Sequence, residues 1–284
     1  VYGIRWLTKN NLVPTYEITV GFWHSDNDIS RGELLRFRKD GVNECWVGYA
    51  DANRISLKDA ADAEVAISSS EHTILDDTGY YIETTVKVHP TTGWIKTWVN
   101  GELWADSTVL YPSGVNTGAT TINEISLRGG DRPQFDDVYV TDDLIRLDQP
   151  RIITLLPTGN SATNTSWTGD SLDVDDPGGI DIATVDSTDV DTVTPTHKEG
   201  FTYQSLPTGP FDVFAIQPSF RHRNLDSGSA TIAISTNDGA SATGIPISST
   251  PTQTAVAFPD ATGVADTGWT QAQVDALEMT LEYE

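Results

Sequence analysis

The segment that decides the fold runs from Asp77 to Gly101 and reads DTGYYIETTVKVHPTTGWIKTWVNG. Apolar and polar residues alternate through Ile82–His89 and again through Trp94–Val99, and a Pro/Gly turn at 90–93 separates the two stretches. Alternation with a period of two is typical of antiparallel strands that bury one face. The Asn100–Gly101 pair that follows favours the positive φ angles of a tight hairpin turn. The segment therefore predicts an antiparallel sheet with one face on a core.

The remainder of residues 1–148 repeats this pattern. Short strands separated by polar turns are typical of a sandwich or jelly roll. The predicted strands are Tyr2–Leu7, Glu17–Trp23, Leu34–Arg38, Cys45–Tyr49, Gly79–His89, Trp94–Val99, Glu124–Leu127 and Asp137–Val140. The one helix predicted in this region is a short one over Leu57–Glu64. The sequence begins at Val1 in what reads as the middle of a strand, as it would if an upstream segment were missing.

A second, smaller β-sandwich is predicted over residues 149–284, after a junction at 148–150. It opens with a strand at Arg151–Leu156, and residues 168–199 are so rich in Asp, Thr, Ser and Gly that they predict a long acidic loop. Further strands are predicted at Phe201–Tyr203, Phe211–Phe220 and Thr231–Ser235. A capping box at Thr270–Gln273 predicts a short helix to Ala276, and the alternating tail from Leu277 predicts a last strand.

The composition excludes several classes of partner. The 284 residues carry 17 basic and 41 acidic side chains, for a net charge of −24. Acid exceeds base in both halves, with 13 basic against 23 acidic residues up to Asp148 and 4 against 18 after it. Such a surface repels nucleic acids and anionic lipids. The single cysteine, Cys45, excludes an intrachain disulfide. No apolar run reaches 18 residues, so we expect no membrane insertion.

The sequence contains no recognisable catalytic motif. It lacks the Glu-x-Asp of glucanases, His-Glu-x-x-His zinc spacing, a Gly-x-Ser-x-Gly elbow and the glycine-rich nucleotide loops. The adjacent Asp136 and Asp137 would point to opposite faces of a strand and could not flank one glycosidic bond. Cys45 is expected to be a small core residue. The sequence therefore predicts a protein without enzymatic activity.

Two acidic stretches raise the question of calcium, the one cofactor that these residues would suit. The run 173–179, DVDDPGG, begins like an EF-hand loop, but Pro177 stands at a ligand position and Thr184 replaces the closing glutamate. The candidate calcium ligands are Asp136, Asp137, Asp173, Asp175 and Asp176. The alternative is structural: a carboxylate that caps backbone amides, or one that is simply solvated.

A row of aromatic and basic residues is the candidate binding site. Trp94, Lys96 and Trp98 share the strand face opposite Ile95 and Val99. If that face is open, the two indole rings could stack on sugar rings. The alternative is ordinary packing or a contact with another subunit. The tryptophans expected in the core are Trp6, Trp23, Trp46 and Trp104.

Residues 79–101, together with 125–140 (ISLRGGDRPQFDDVYV), resemble the concanavalin A-like lectin/laminin-G sandwich. In that fold a strand pair that ends in an Asn-Gly turn is followed by a strand of the Asp-Asp-Val-Tyr-Val type. The resemblance implies a concanavalin A-like jelly roll for residues 1–148.

The second half is similar to virion structural proteins of tailed bacteriophages. The similarity lies in residues 155–167 (LLPTGNSATNTSW), the acidic run to Val193 and residues 268–277 (GWTQAQVDAL). Such proteins are minor tail, fibre or decoration components. The resemblance implies a structural protein on the tail or capsid surface, whose partners are other virion proteins, further copies of itself (a trimer by preference) and host surface polysaccharide. The alternatives are a receptor lectin and a polysaccharide depolymerase.

Overall fold

The computed structural model describes residues 5–9, 12, 14–26, 32–50, 53–118, 121–129, 133–142, 144, 146–148, 150–161, 198–207, 212–222, 230–249, 252–256, 258 and 269–283. These residues form antiparallel sheets and two short helices, so the predicted all-β fold class is confirmed. The chain divides into two compact units, residues 1–152 and 153–284. The division expected from the sequence lay between residues 148 and 149.

The first unit is a two-sheet sandwich. Its elements are β1 (Arg5–Lys9), β2 (Glu17–Ser25), β3 (Glu33–Lys39), β4 (Val42–Tyr49), β5 (Ile55–Lys58), β6 (Glu64–Ile67), β7 (Tyr80–Lys87), β8 (Trp94–Val99), β9 (Glu102–Asp106), α1 (Ser107–Leu110), β10 (Glu124–Gly129) and β11 (Gln134–Thr141). One sheet has the order β1-β10-β3-β4-β5-β6 and the other β11-β2-β7-β8-β9. Buried residues of both sheets form a single apolar core, which includes Ile18, Phe22, Leu35, Phe37, Val47, Ile82 and Ile95.

The hairpin that decided the prediction is present. β7 and β8 pair antiparallel, with Ile82 opposite Val99 and Glu83 opposite Trp98. Asn100 and Gly101 both have positive φ, 49° and 83°, as a tight turn of this type requires. The Asn100 side chain adds a second link, because its Oδ1 accepts a hydrogen bond of 2.8 Å from the Tyr81 backbone N–H.

The predicted helix over Leu57–Glu64 is wrong. The chain instead forms β5, a turn and β6, which lie at the edge of the six-stranded sheet. Asp59 decides the turn, because its Oδ1 accepts from the backbone N–H groups of Ala61 and Ala63, both at 2.9 Å. Aspartate that binds nearby backbone N–H groups competes with helix formation. The alanine and acidic residues of this segment suggested a helix that the aspartate side chain prevents.

The second unit has a five-stranded sheet and a two-stranded one. Its elements are β12 (Pro157–Asn160), β13 (Lys198–Tyr203), β14 (Ser219–His222), β15 (Ala230–Thr236), β16 (Ser241–Ile247), β17 (Thr252–Ala255), α2 (Gln271–Asp275) and β18 (Glu278–Tyr283). The larger sheet has the order β12-β13-β18-β15-β16, and β14 pairs with β17. The core of this unit includes Ile234, Phe258, Trp269, Val274, Leu277 and Met279.

The ends of this unit differ in how well they were predicted. The capping box of α2 is present, with hydrogen bonds from the Gln273 N–H to the Thr270 hydroxyl and from the Thr270 N–H to the Gln273 side chain. The final strand is β18, as expected. The strand predicted at Arg151–Leu156 is wrong, because those residues have no regular structure and β12 begins at Pro157. Residues 162–197, most of the predicted acidic loop, lie outside the described residues.

Neither helix in the described part of the chain is long and apolar enough to cross a bilayer.

Candidate functional site

The predicted row of Trp94, Lys96 and Trp98 lies on the outer face of the five-stranded sheet of the first unit. Each of the three side chains is half-buried and alternates with fully buried neighbours on β8. The Lys96 ammonium lies 5.3 Å from the centre of the Trp94 ring and 3.0 Å from Asp106 Oδ2. Partial burial of Asp106 opposes ionisation, but hydrogen bonds from Thr108 and Lys96 outweigh it and lower the pKa of this carboxyl group.

Trp98 is covered by a residue from outside the sheet. The guanidinium carbon of Arg146 lies 4.3 Å from the centre of the Trp98 ring. Arg146 also forms an ion pair with Glu83, at 3.0 Å between Nη2 and Oε2. Glu83 faces Trp98 across the β7–β8 ladder and is only 1% exposed. The Trp98 ring is therefore not free to stack on a ligand in this conformation.

Glu83 holds a short segment, Arg146–Asp148, which we call the strap. Besides the Arg146 ion pair, Glu83 Oε1 accepts from the backbone N–H groups of Leu147 and Asp148, at 3.0 and 3.1 Å. The Tyr139 hydroxyl also donates to this oxygen. Burial, and next the hydrogen bond to Glu83, raise the pKa of Tyr139, so that its hydroxyl keeps the proton that it donates. The strap is fixed by one carboxylate.

Room for this arrangement comes from Gly21 on β2. The Tyr139 ring lies against it, and a Cβ atom at Gly21 would be 2.1 Å from Tyr139 Cε1. A side chain at position 21 would therefore displace the ring and its hydrogen bond to Glu83.

The two aspartates of β11 hold backbone groups. A β-bulge lies between Asp136 and Tyr139, and Asp137 adopts a positive φ of 49°. Asp137 Oδ1 accepts from the Ile152 N–H at 2.8 Å, and Asp136 Oδ1 accepts from the Asp137 N–H at the same distance. Each carboxylate thus accepts a backbone hydrogen bond, whereas the structural alternative from the sequence had only one of the two in that role and the other solvated.

The calcium hypothesis stays a prediction. Asp173, Asp175 and Asp176 lie outside the described residues. Among the residues that the structure does describe, no three His, Cys, Asp or Glu side chains come together to hold a metal ion.

A second aromatic face was missed. Trp46 was expected in the core, but it lies half-buried on the outer face of the six-stranded sheet, between the buried Cys45 and Val47. Its indole N–H donates to Asp62 Oδ1 at 2.8 Å, and the Lys58 ammonium lies 5.4 Å from its ring centre. The ring is thus fixed in orientation.

Trp46 borders a cavity of about 240 Å³. The cavity is lined by Glu33, Asn43, Trp46, Asp59, Ala60 and Asp62. Glu33 is held by two arginines of the same sheet, Arg36 and Arg128, the latter at 2.5 Å. Arg38 pairs with Glu124 beside them. The site combines a flat ring with hydrogen-bonding groups that their neighbours hold in place.

Alternation along β3 and β4 contained the signal for this face. Leu35 and Phe37 alternate with Arg36, and the Cys45–Val47 stretch places Trp46 opposite its neighbours. What the sequence did not show is that a turn between two other strands, residues 59–63, supplies two of the three carboxylates of the cavity, Asp59 and Asp62.

A buried histidine lies inside the sandwich. His24 is 1% exposed, and its ring stacks on Phe135 at 4.8 Å and meets the edge of Phe22 at 6.4 Å. Burial lowers the pKa of His24 to about 4, although the nearby Asp26 carboxylate acts in the opposite direction. His24 is therefore neutral near pH 7.

Comparisons with known proteins identify no family. No protein-family profile matches the sequence, and no curated protein matches it either. Among solved structures, CG-16, a homodimeric agglutinin from chicken liver, is 11% identical with a TM-score of 0.32, over 48% of this chain and 100% of its own. A heptameric SAP-like pentraxin from Limulus polyphemus is 10% identical with a TM-score of 0.37, over 50% of this chain and 72% of its own. The alginate lyase Aly36B is 11% identical with a TM-score of 0.29, over 50% of this chain and 81% of its own.

Proposed function

We propose that the chain is a non-enzymatic, glycan-binding structural protein of a bacteriophage virion, on the tail or the capsid surface. The Trp46 cavity is the observation that carries the glycan-binding part of this proposal. The similarity of residues 155–167 and 268–277 to tailed-phage structural proteins supports the virion part.

The Trp46 cavity suits the chemistry of a sugar. A pyranose ring has an apolar face that packs on an indole ring, and a rim of hydroxyl groups that need hydrogen-bond partners. Carboxylates accept strong hydrogen bonds from hydroxyl groups, and Asn43 can both donate and accept. Half of the six lining side chains are carboxylates, Glu33, Asp59 and Asp62. A neutral sugar therefore fits this cavity better than an acidic one.

The same carboxylates favour binding over hydrolysis. A glycosidase needs one carboxyl group to protonate the leaving oxygen. Here Glu33 is paired with two arginines, Asp62 accepts from the Trp46 indole and Asp59 accepts from two backbone N–H groups. No carboxylate of the cavity is placed as a proton donor, and we therefore propose a protein that holds polysaccharide without cleaving it.

Assembly with further copies or with other virion proteins completes the proposal, with a trimer as the preferred homo-oligomer. β6 and β9 are edge strands, and the segment from β9 through α1 exposes Leu103, Val109, Leu110 and Tyr111. Exposed apolar residues next to open strand edges are commonly covered by subunit contacts. Light scattering of the purified chain measures the stoichiometry, and a monomer at all concentrations contradicts this part.

Binding to an array of immobilised neutral and acidic oligosaccharides tests the glycan part. We expect wild type to bind neutral glycans and Trp46→Ala to lose that binding. Tyr16→Ala is the matched control, because Tyr16 is an aromatic residue that is 62% exposed and lies outside the cavity. Binding that survives in Trp46→Ala, or no binding by wild type, refutes the assignment.

Three further measurements test the remaining parts. Incubation with host polysaccharide should release no reducing ends, and release would show a depolymerase. Neighbouring genes should encode tail tape-measure, portal or capsid proteins, and immunogold labelling should place the chain on the particle. Unlabelled particles would contradict the virion location.

A further inference from the structure

The outer face of the five-stranded sheet has the parts of a second sugar platform. Trp94 and Trp98 lie on one face of β8, four positions apart, which along an extended strand is about 13 Å. Lys96 stands between them with its ammonium held by Asp106. Two rings at this separation suit an oligosaccharide more than a single sugar.

Arg146 occupies one of the two rings. The guanidinium carbon of Arg146, 4.3 Å from the ring centre, takes the position that the apolar face of a pyranose would need on Trp98. Arg146 and a sugar therefore compete for the same surface. Trp94 is not covered by the strap. The cation near its ring is Lys96 of the same strand, and it lies farther away, at 5.3 Å from the ring centre.

Most of the polar bonds that hold the strap end on one group, the Glu83 carboxylate. Arg146 and the amides of Leu147 and Asp148 all bond to the Glu83 carboxylate. A bond from the Leu147 N–H to the Tyr139 hydroxyl, at 3.2 Å, ends beside it. The Glu83 carboxylate is therefore the group whose removal would most weaken the attachment of the strap to the sheet.

We propose that Trp98 is a masked sugar-stacking site, which binds the apolar face of a neutral oligosaccharide together with Trp94 once the strap Arg146–Asp148 has left the ring. The inference rests on the proposed glycan-binding role and adds a second site, on the opposite sheet from Trp46. The strap lowers the apparent affinity of this site, because only the fraction of molecules with the strap displaced can bind.

The double substitution Glu83→Leu with Arg146→Ala tests the inference, because it removes the oxygens that hold the strap and the side chain that covers Trp98. It removes both charges together, so no unpaired charge is left buried. Hydrogen exchange at the amides of Leu147 and Asp148 measures whether the strap is released. Titration with cellohexaose measures the Trp98 site, and every chain in this titration carries Trp46→Ala so that the open cavity does not contribute. Lys58→Met is the matched control, because it removes the cation above Trp46 without touching the strap.

We expect faster exchange at both amides in the double variant. We also expect cellohexaose to bind to this variant more tightly than to the chain that carries Trp46→Ala alone, by a factor equal to the inverse of the fraction of molecules in which the strap is open. Adding Trp98→Ala to the double variant should abolish the gain, and Lys58→Met should leave both amides unchanged. Unchanged exchange, or faster exchange without a Trp98-dependent gain, overturns the inference.

The outcome is separable from the proposed function. Loss of binding in Trp46→Ala concerns the open cavity of the six-stranded sheet. A gain that depends on Trp98 concerns the masked ring, and it would stand even if wild type bound no glycan.

Discussion

The buried His24 should make the protein less stable in mild acid. In the unfolded chain this imidazole takes up a proton near pH 6.5, whereas in the folded protein it does so only near pH 4. Between these values the unfolded state binds more protons, and lowering the pH therefore favours unfolding. The stabilising contribution is complete above pH 6.5 and is lost as the pH falls toward 4.

The size of the effect follows from the two pKa values. A difference of 2.5 between them corresponds to about 3 kcal/mol once both states are fully protonated. At pH 5 most of the unfolded state is protonated and most of the folded state is not, so the loss relative to pH 7.5 is about 2 kcal/mol.

The assay compares His24→Phe with wild type by urea unfolding at pH 7.5, 6.5, 5.5 and 5.0. Phenylalanine can pack beside Phe22 and Phe135 and does not titrate. The carboxyl groups common to both proteins cancel, so the variant should gain about 2 kcal/mol relative to wild type between pH 7.5 and 5.0. Phe135→Leu, which changes the same cluster without removing a titrating group, should show a constant difference. A constant difference for His24→Phe as well would refute the reasoning.

Three further substitutions test an ion pair, a packing contact and a helix cap. Arg146→Ala should destabilise the first unit by about 3 kcal/mol in calorimetry, because it leaves the Glu83 charge buried without its partner. The double variant Glu83→Gln with Arg146→Met should cost clearly less, because it removes both charges. Equal losses in the two variants would contradict this. Gly21→Ala should cost about 1–3 kcal/mol by urea unfolding, because its Cβ would overlap the Tyr139 ring, and Tyr139→Ala in the same chain should remove most of that penalty. Thr270→Ala should lower the free energy of unfolding of the second unit by about 1 kcal/mol, because the helix α2 loses its N-cap. Urea unfolding should show a lower midpoint for Thr270→Ala and a midpoint close to wild type for Thr270→Ser.

The hairpin β7–β8 was predictable because two local signals agree. The alternation in Trp94–Val99 gives the strand and its faces, and Asn100–Gly101 gives the turn. The helix predicted at 57–64 was wrong because the prediction rested on helix propensity. The side chain of Asp59 instead accepts hydrogen bonds from two backbone N–H groups and stabilises a turn, which propensity does not describe.

The sites could be predicted only in part. The row of Trp94, Lys96 and Trp98 follows from alternation alone, and the structure places all three on the outer face. The cover on Trp98 could not be predicted in this way. It comes from Arg146, which lies 48 positions later in the chain and is held against the sheet by its ion pair with the buried Glu83. Local periodicity contains no information on such a contact, since it depends on the path of the chain after β11.

The sandwich turns its two outer surfaces in opposite directions, with Trp46 on one and Trp98 on the other. A sugar chain seated on one of them has no short path around the core to the other. Two occupied surfaces would therefore hold two separate polysaccharide chains, and one copy of this unit would cross-link them. The overall affinity for polysaccharide would rise further when many copies are arrayed together, because their sites bind at once.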